Sequence, residues 1–198
     1  MLRIQRSISL VAMMLAWMVV MAPYALSKDV TYRGKAIDAD TKEPIEGAVV
    51  VVYWHKAWQT ISGEGTKLKE VKEILTDKNG EWSVVGPKGQ EHDPHPYLSF
   101  FLLLSYTREP QFIIFKPGYC SWPKGFFIEA CKERIKPKEG DEFVKGGVLD
   151  LPPLTKHEER TRVIPSPEGG ENALGKQKEL IRLINQERNN LGLPEAYK

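Results

Sequence analysis

Four consecutive valines, Val49, Val50, Val51 and Val52, followed at once by Tyr53 and Trp54, constrain the fold more than any other feature of the chain. A half-exposed strand alternates apolar and polar side chains, whereas a β-branched run without alternation belongs to a strand covered on both faces. The strand follows a polar connection. Asp38, Asp40, Thr41 and Pro44 favour turns, and Gly47 allows a kink before the chain re-enters a sheet.

Other strand signals surround this one. Over 30–38, Val30, Tyr32 and Ala36 alternate with Thr31, Arg33 and Lys35, the period of a half-buried strand. Asn79-Gly80 is the pair best suited to a two-residue hairpin loop, so strands are expected at 69–77 and 81–86, with Leu75 opposite Val84 and Lys78 opposite Glu81. A strand over 111–116 is closed by Pro117-Gly118, in the order a type II turn requires. Residues 97–106 read as either a strand or a short helix, and 143–151 as a last strand ended by Pro152-Pro153.

The two ends of the chain read differently. Arg3 and Arg6 precede an apolar run over 8–21 that ends in Ala25-Leu26-Ser27, the three-part pattern of a secretory signal peptide over 1–27. With that leader removed, no membrane span is expected. The 28 Lys+Arg then fall to 26 against 26 Asp+Glu. A neutral chain without a basic stripe gives no electrostatic reason to expect nucleic acid as a partner. Cys120 and Cys131 both lie in the exported part, where a disulfide persists, and the expected location is periplasmic or secreted. At the other end, Thr155 and Glu158 form a capping box for a short helix ended by Pro165. "PSPEGGEN" is a linker by composition. Asn172 is placed to cap an amphipathic helix carrying Leu174, Ile181, Ile184 and Leu191, stopped by Gly192 and Pro194. This pattern predicts a helical tail over 155–198 that straps its own domain, with removal from Ser166 onward leaving the rest folded.

"GKAIDADTKEPIEGAVVVVYW" (34–54), "TDKNGEW" (76–82) and "FKPGY" (115–119) resemble, in order, successive motifs of carboxypeptidase regulatory-like domains. The resemblance implies a mainly β, seven-stranded transthyretin-like (prealbumin-like) sandwich over 28–154, with the valine strand central to its core and the polar turn at one end. Residues 122–137 and the tail lie outside it. Such domains are appended to metallocarboxypeptidases and to many other exported proteins, so the fold does not supply a function.

The chemistry-bearing residues fall into small groups. A zinc peptidase needs His-x-x-Glu or His-Glu-x-x-His, and neither pattern occurs. His92 and His95, with Asp93 between them in "HDPHP", are the weak metal candidates. Asp38, Asp40 and Glu43 lack the order of a calcium loop and read as turn chemistry. No cofactor is implied. Trp54 and Trp58 flank His55, while Trp122, Phe126 and Phe127 sit between the two cysteines; aromatics on a rigid loop suit stacking on sugars or docking on a partner. These residues define the expectation of an exported, non-catalytic β-sandwich that serves as an accessory or binding module for a protein or an envelope polysaccharide. The alternatives are a carbohydrate-binding module using Trp54, Trp58 and Trp122, and a metal-dependent hydrolase using His92 and His95.

Overall fold

Strand β2 (Val49–Thr60) contributes to both hydrophobic cores of the molecule. The computed structural model describes residues 30–60, 63–87, 105–135 and 146–197. The expected leader, His92, His95, residues 97–104 and residues 143–145 lie outside the described residues.

Among the described residues seven strands form two sheets. In the first, β1 (Thr31–Asp38) runs antiparallel to β4 (Glu81–Val85) on one side and parallel to β7 (Gly147–Leu151) on the other. In the second, β2 pairs with β3 (Gly63–Leu75) along one edge. Along its other edge lie β5 (Ser105–Thr107) and then β6 (Gln111–Phe115). The molecule is thus mainly β.

The valine run lacks alternation because each face of β2 has its own core. Val50, Val52 and Trp54 cluster with Tyr32, Ala36, Trp82, Val84 and Leu149 of the first sheet. Val49, Val51 and Tyr53 instead join Val71, Ile113 and Phe115, together with Leu180, Leu183, Ile184 and Leu191 from the tail. All four valines are fully enclosed. Full burial of one such side chain contributes about 1.5–3 kcal/mol, so this strand is the largest local source of hydrophobic stabilisation.

The Asn79-Gly80 turn does not close a hairpin. Leu75 pairs with Val49 and Val84 with Tyr32, so the strands on either side of the turn belong to different sheets. The reason is that β3 is already paired with β2, from Val49 opposite Leu75 to Thr60 opposite Gly63. Local turn chemistry is nevertheless well satisfied: the Asp77 carboxylate accepts from the amides of Asn79 (2.9 Å) and Glu81 (2.8 Å). Gly80 has φ +74°, and its carbonyl accepts from the Ala36 amide at 2.9 Å. A Cβ there would lie 2.3 Å from the Ala36 carbonyl oxygen. Gly80→Ala is therefore expected to cost at least ~2 kcal/mol, from left-handed backbone strain plus displacement of β1. Urea titration measures it, and a loss below ~0.5 kcal/mol would place the turn outside the sheet packing.

The tail is built from helices α2 (His157–Val163), α3 (Glu171–Leu174) and α4 (Lys178–Asn190), after a short α1 (Glu129–Lys132) in the disulfide loop. Neither expected cap is used. Helix α2 begins beyond Thr155 with no side-chain cap, and Asn172 lies inside α3. The first amides of α4 are capped from the sheet instead: the Glu73 carboxylate accepts from Glu179 (2.9 Å) and Leu180 (3.1 Å), where the helix dipole favours an anion. Gly192 does end α4, with φ +68° and the Leu193 amide reaching back to the Arg188 carbonyl at 2.8 Å. Because α4 covers one face of β2, the tail is part of the packing, and its removal uncovers that face. Among the described residues no helix is long and apolar enough to cross a membrane.

Candidate functional site

The polar turn after β1 and the loop closed by Cys120 and Cys131 meet at one end of the two sheets. Asp38, buried at the end of β1, folds the turn around its own carboxylate. Its Oδ1 accepts from the amides of Asp40 (2.7 Å) and Thr41 (3.0 Å), and its Oδ2 from the Tyr119 hydroxyl (3.1 Å). The turn is latched to β7 by Lys42 and Asp150 at 2.9 Å, and to the segment just after the disulfide loop by an ion pair between Arg134 and Asp40.

The Thr41 amide in particular holds the Asp38 carboxyl below its ordinary value of 3.8; burial opposes this, and Asp40, Tyr119 and Arg134 assist. A depressed carboxyl stabilises the fold fully above the unfolded value and loses that contribution as pH falls through the folded one. Asp38→Asn is accordingly expected to be less stable than the parent by about 1 kcal/mol at neutral pH. That gap should close as pH falls below 3.8, and thermal melts across the acid range would show it. A gap independent of pH would assign the effect to shape instead of charge.

The disulfide loop is held at several points. Lys116, Pro117, Gly118 and Tyr119 form the expected turn, with Gly118 at φ +84° and the Tyr119 amide donating to the Lys116 carbonyl at 3.1 Å. Cys120 and Cys131 are bonded, with Cα atoms 6.0 Å apart, and both are fully enclosed. Trp122 exchanges backbone hydrogen bonds with Ile114 of β6, and Phe126 meets its ring edge-on at 4.8 Å. At Gly125 a Cβ would come within 2.9 Å of Ile135, so the Lys124–Phe127 turn of 3₁₀ helix presses directly on the loop's own core. The Ser121 hydroxyl donates to the Val163 carbonyl and the Lys124 ammonium to the Ile164 carbonyl, fastening the loop to the end of α2.

The five aromatic candidates separate. Trp54 is completely enclosed between the sheets and Trp122 is 8 % exposed, so neither offers a ring to a ligand. Trp58 is half-buried over Gly65, where a Cβ would lie 2.5 Å from its ring. It also sits at the far end of β2 from Trp122, whose partner Ile114 pairs with Val50. Eight residues of strand put those ends about 26 Å apart. Phe126 is half-buried, and Phe127 stands 83 % exposed.

Other polar groups were not legible in the sequence. Glu64, Tyr106 and Arg108 meet through the β3–β2–β5 pairing, and the Tyr106 hydroxyl and the Arg108 guanidinium both donate to the Glu64 carboxylate. Tyr106 followed by Arg108 holds that carboxyl below its usual range, and Glu64 in turn raises the Tyr106 phenol. Glu187, 1 % exposed on α4, takes a bidentate pair from Arg160 of α2 at 2.8 and 2.7 Å, and the Gly118 amide at 3.3 Å. His55 stands edge-on to Tyr53 at 5.6 Å, beside a groove of about 430 Å³ that also borders Glu70, Glu168 and Asn172. Burial, followed by Glu168, pushes the Tyr53 phenol up to about 12. A shallow cleft of about 660 Å³ lies on the first sheet, bordered by Arg33, Lys35, Ile74, Glu81 and Val148. Among the described residues no group of three His, Cys, Asp or Glu side chains is placed to hold a metal ion.

No protein-family model matches the chain, and no curated protein matches it.

Proposed function

We propose that the chain is an exported, non-catalytic binding module with the transthyretin-like build of carboxypeptidase regulatory-like domains, working on a protein of the periplasm or cell exterior. The observation that carries this reading is how the ionisable groups are used. Asp38 shapes a turn, Glu73 caps a helix, Glu187 is clamped by Arg160, and Lys116 and Lys124 each hold a backbone carbonyl. Groups engaged in this way position backbone, whereas a catalytic acid or base has to stay available to a substrate. The sugar-platform alternative has weaker support, because two of its three tryptophans are internal.

Two measurements test the reading. Intact mass under non-reducing conditions is expected to show an exported species starting at Lys28 and carrying no free thiol. A species retaining residues 1–27 with two free thiols would overturn the exported state. Labelled protein is also expected to bind native envelope fractions saturably, and protease treatment of those fractions should abolish binding while muramidase treatment leaves it. Loss with muramidase alone would favour a polysaccharide, and no saturable binding would end the module reading.

A further inference from the structure

We infer that the disulfide loop is the docking element of this module, with the Phe127 ring entering an apolar pocket on a partner protein whose rim carries charges of both signs. The inference rests on the binding-module reading and adds the surface and the chemistry of its partner.

Single exposed apolar side chains are ordinary on protein surfaces, and Phe127 differs from the others in degree and in support. The remaining large apolar side chains exposed among the described residues, Ile74, Val85 and Val148, are β-branched, lie in strands and reach only 36–48 % exposure. Phe127 is 83 % exposed and lies on a turn that cannot readily fold it away. Behind it, Gly125 is pressed against Ile135, Phe126 meets Trp122 edge-on, and the Cys120–Cys131 bond closes the loop. Because the turn that carries the ring is held in advance, a partner would order little backbone on binding, which favours an interface dominated by one aromatic anchor.

The rim selects the kind of partner. After Phe127 the chain carries the exposed Glu129, Lys132 and Glu133, charges of both signs, while Lys124 is committed to the Ile164 carbonyl and Arg134 to Asp40. An anionic lipid surface attracts clustered basic residues, and one lysine beside two glutamates gives it little hold. Charges of both signs next to an exposed aromatic side chain fit a protein pocket with a complementary polar edge.

The test places photoreactive benzoylphenylalanine at position 127, and separately at 148 in the cleft of the first sheet, in the full-length exported chain. Irradiation of intact cells is expected to give one discrete protein adduct from position 127 and none from 148. Excess unlabelled parent protein should suppress that adduct. Phe127→Ala protein should suppress it about 30-fold less well, the size of a hot-spot truncation, and Phe127→Leu within about fivefold of the parent. The melting temperature of both variants should match the parent, since the ring makes no core contact. Adducts from 148 alone would overturn the loop as docking element and leave the module reading standing. Lipid adducts from 127, or equal competition by Phe127→Ala, would also overturn the inference, and no adduct from either position would count against both.

Discussion

Ending the chain after Pro165 is expected to unfold the protein, not merely shorten it. The cut removes α3 and α4, and with them Leu180, Leu183, Ile184 and Leu191 from one face of β2. Val49, Val51, Tyr53, Val71, Ile113 and Phe115 then lose cover in what remains. At about 1.5–3 kcal/mol for each fully exposed side chain, six of them amount to about 9–18 kcal/mol. That is comparable with the whole stability of an ordinary domain, about 5–15 kcal/mol. Glu73 and the Gly118 amide lose their partners as well. Thermal denaturation followed by near-ultraviolet circular dichroism should show no cooperative transition for the truncated chain. A native spectrum with a sharp melt would mean that the first core alone holds the fold.

The second large effect is expected at Glu187. Glu187→Ala leaves the Arg160 guanidinium, itself mostly enclosed, without its bidentate partner. Breaking a buried pair from one side typically costs about 3–5 kcal/mol. Replacing both partners with apolar residues of similar volume, as in Arg160→Met with Glu187→Met, avoids stranding a charge and should recover most of that loss. Chemical denaturation of the two single variants and the double variant separates the contributions. Additive losses in the double variant would show that packing, and not the ion pair, holds α2 to α4.

How much of this was legible depended on whether the deciding contact was local. The valine run announced a strand with two covered faces, because parity and β-branching are properties of the strand itself. The turn at Gly118 and the stop at Gly192 were readable for the same reason: each needs a positive φ that glycine supplies. The Asn79-Gly80 turn shows the limit. Its residues specify how the chain reverses, and nothing in them says that the next strand joins a different sheet. Capping shows the same limit: Thr155 and Asn172 have suitable neighbours along the chain, while the cap on α4 comes from Glu73, 106 residues away.

The candidate site was half legible. Two-residue parity places Trp54 with Val50 and Val52, inside the same core, so its burial could have been read from the strand. Distinguishing Phe126 from Phe127 required the 3₁₀ turn, whose three-residue period sends adjacent side chains in different directions. The Glu64, Tyr106 and Arg108 cluster needed three strands in register and had no signature along the chain.

The dependence of β2 on α4 also sets an order in time. A segment near residue 50 completes its packing only with side chains between 180 and 191, so native contacts close over most of the polypeptide's length. Topologies of this kind fold slowly, because loop closure must precede the contacts that reward it. During synthesis the nascent valine segment lacks one of its layers until Leu180, Leu183, Ile184 and Leu191 have been made. The window in which it is vulnerable to aggregation, and open to chaperones, therefore lasts at least until those residues are available to pack.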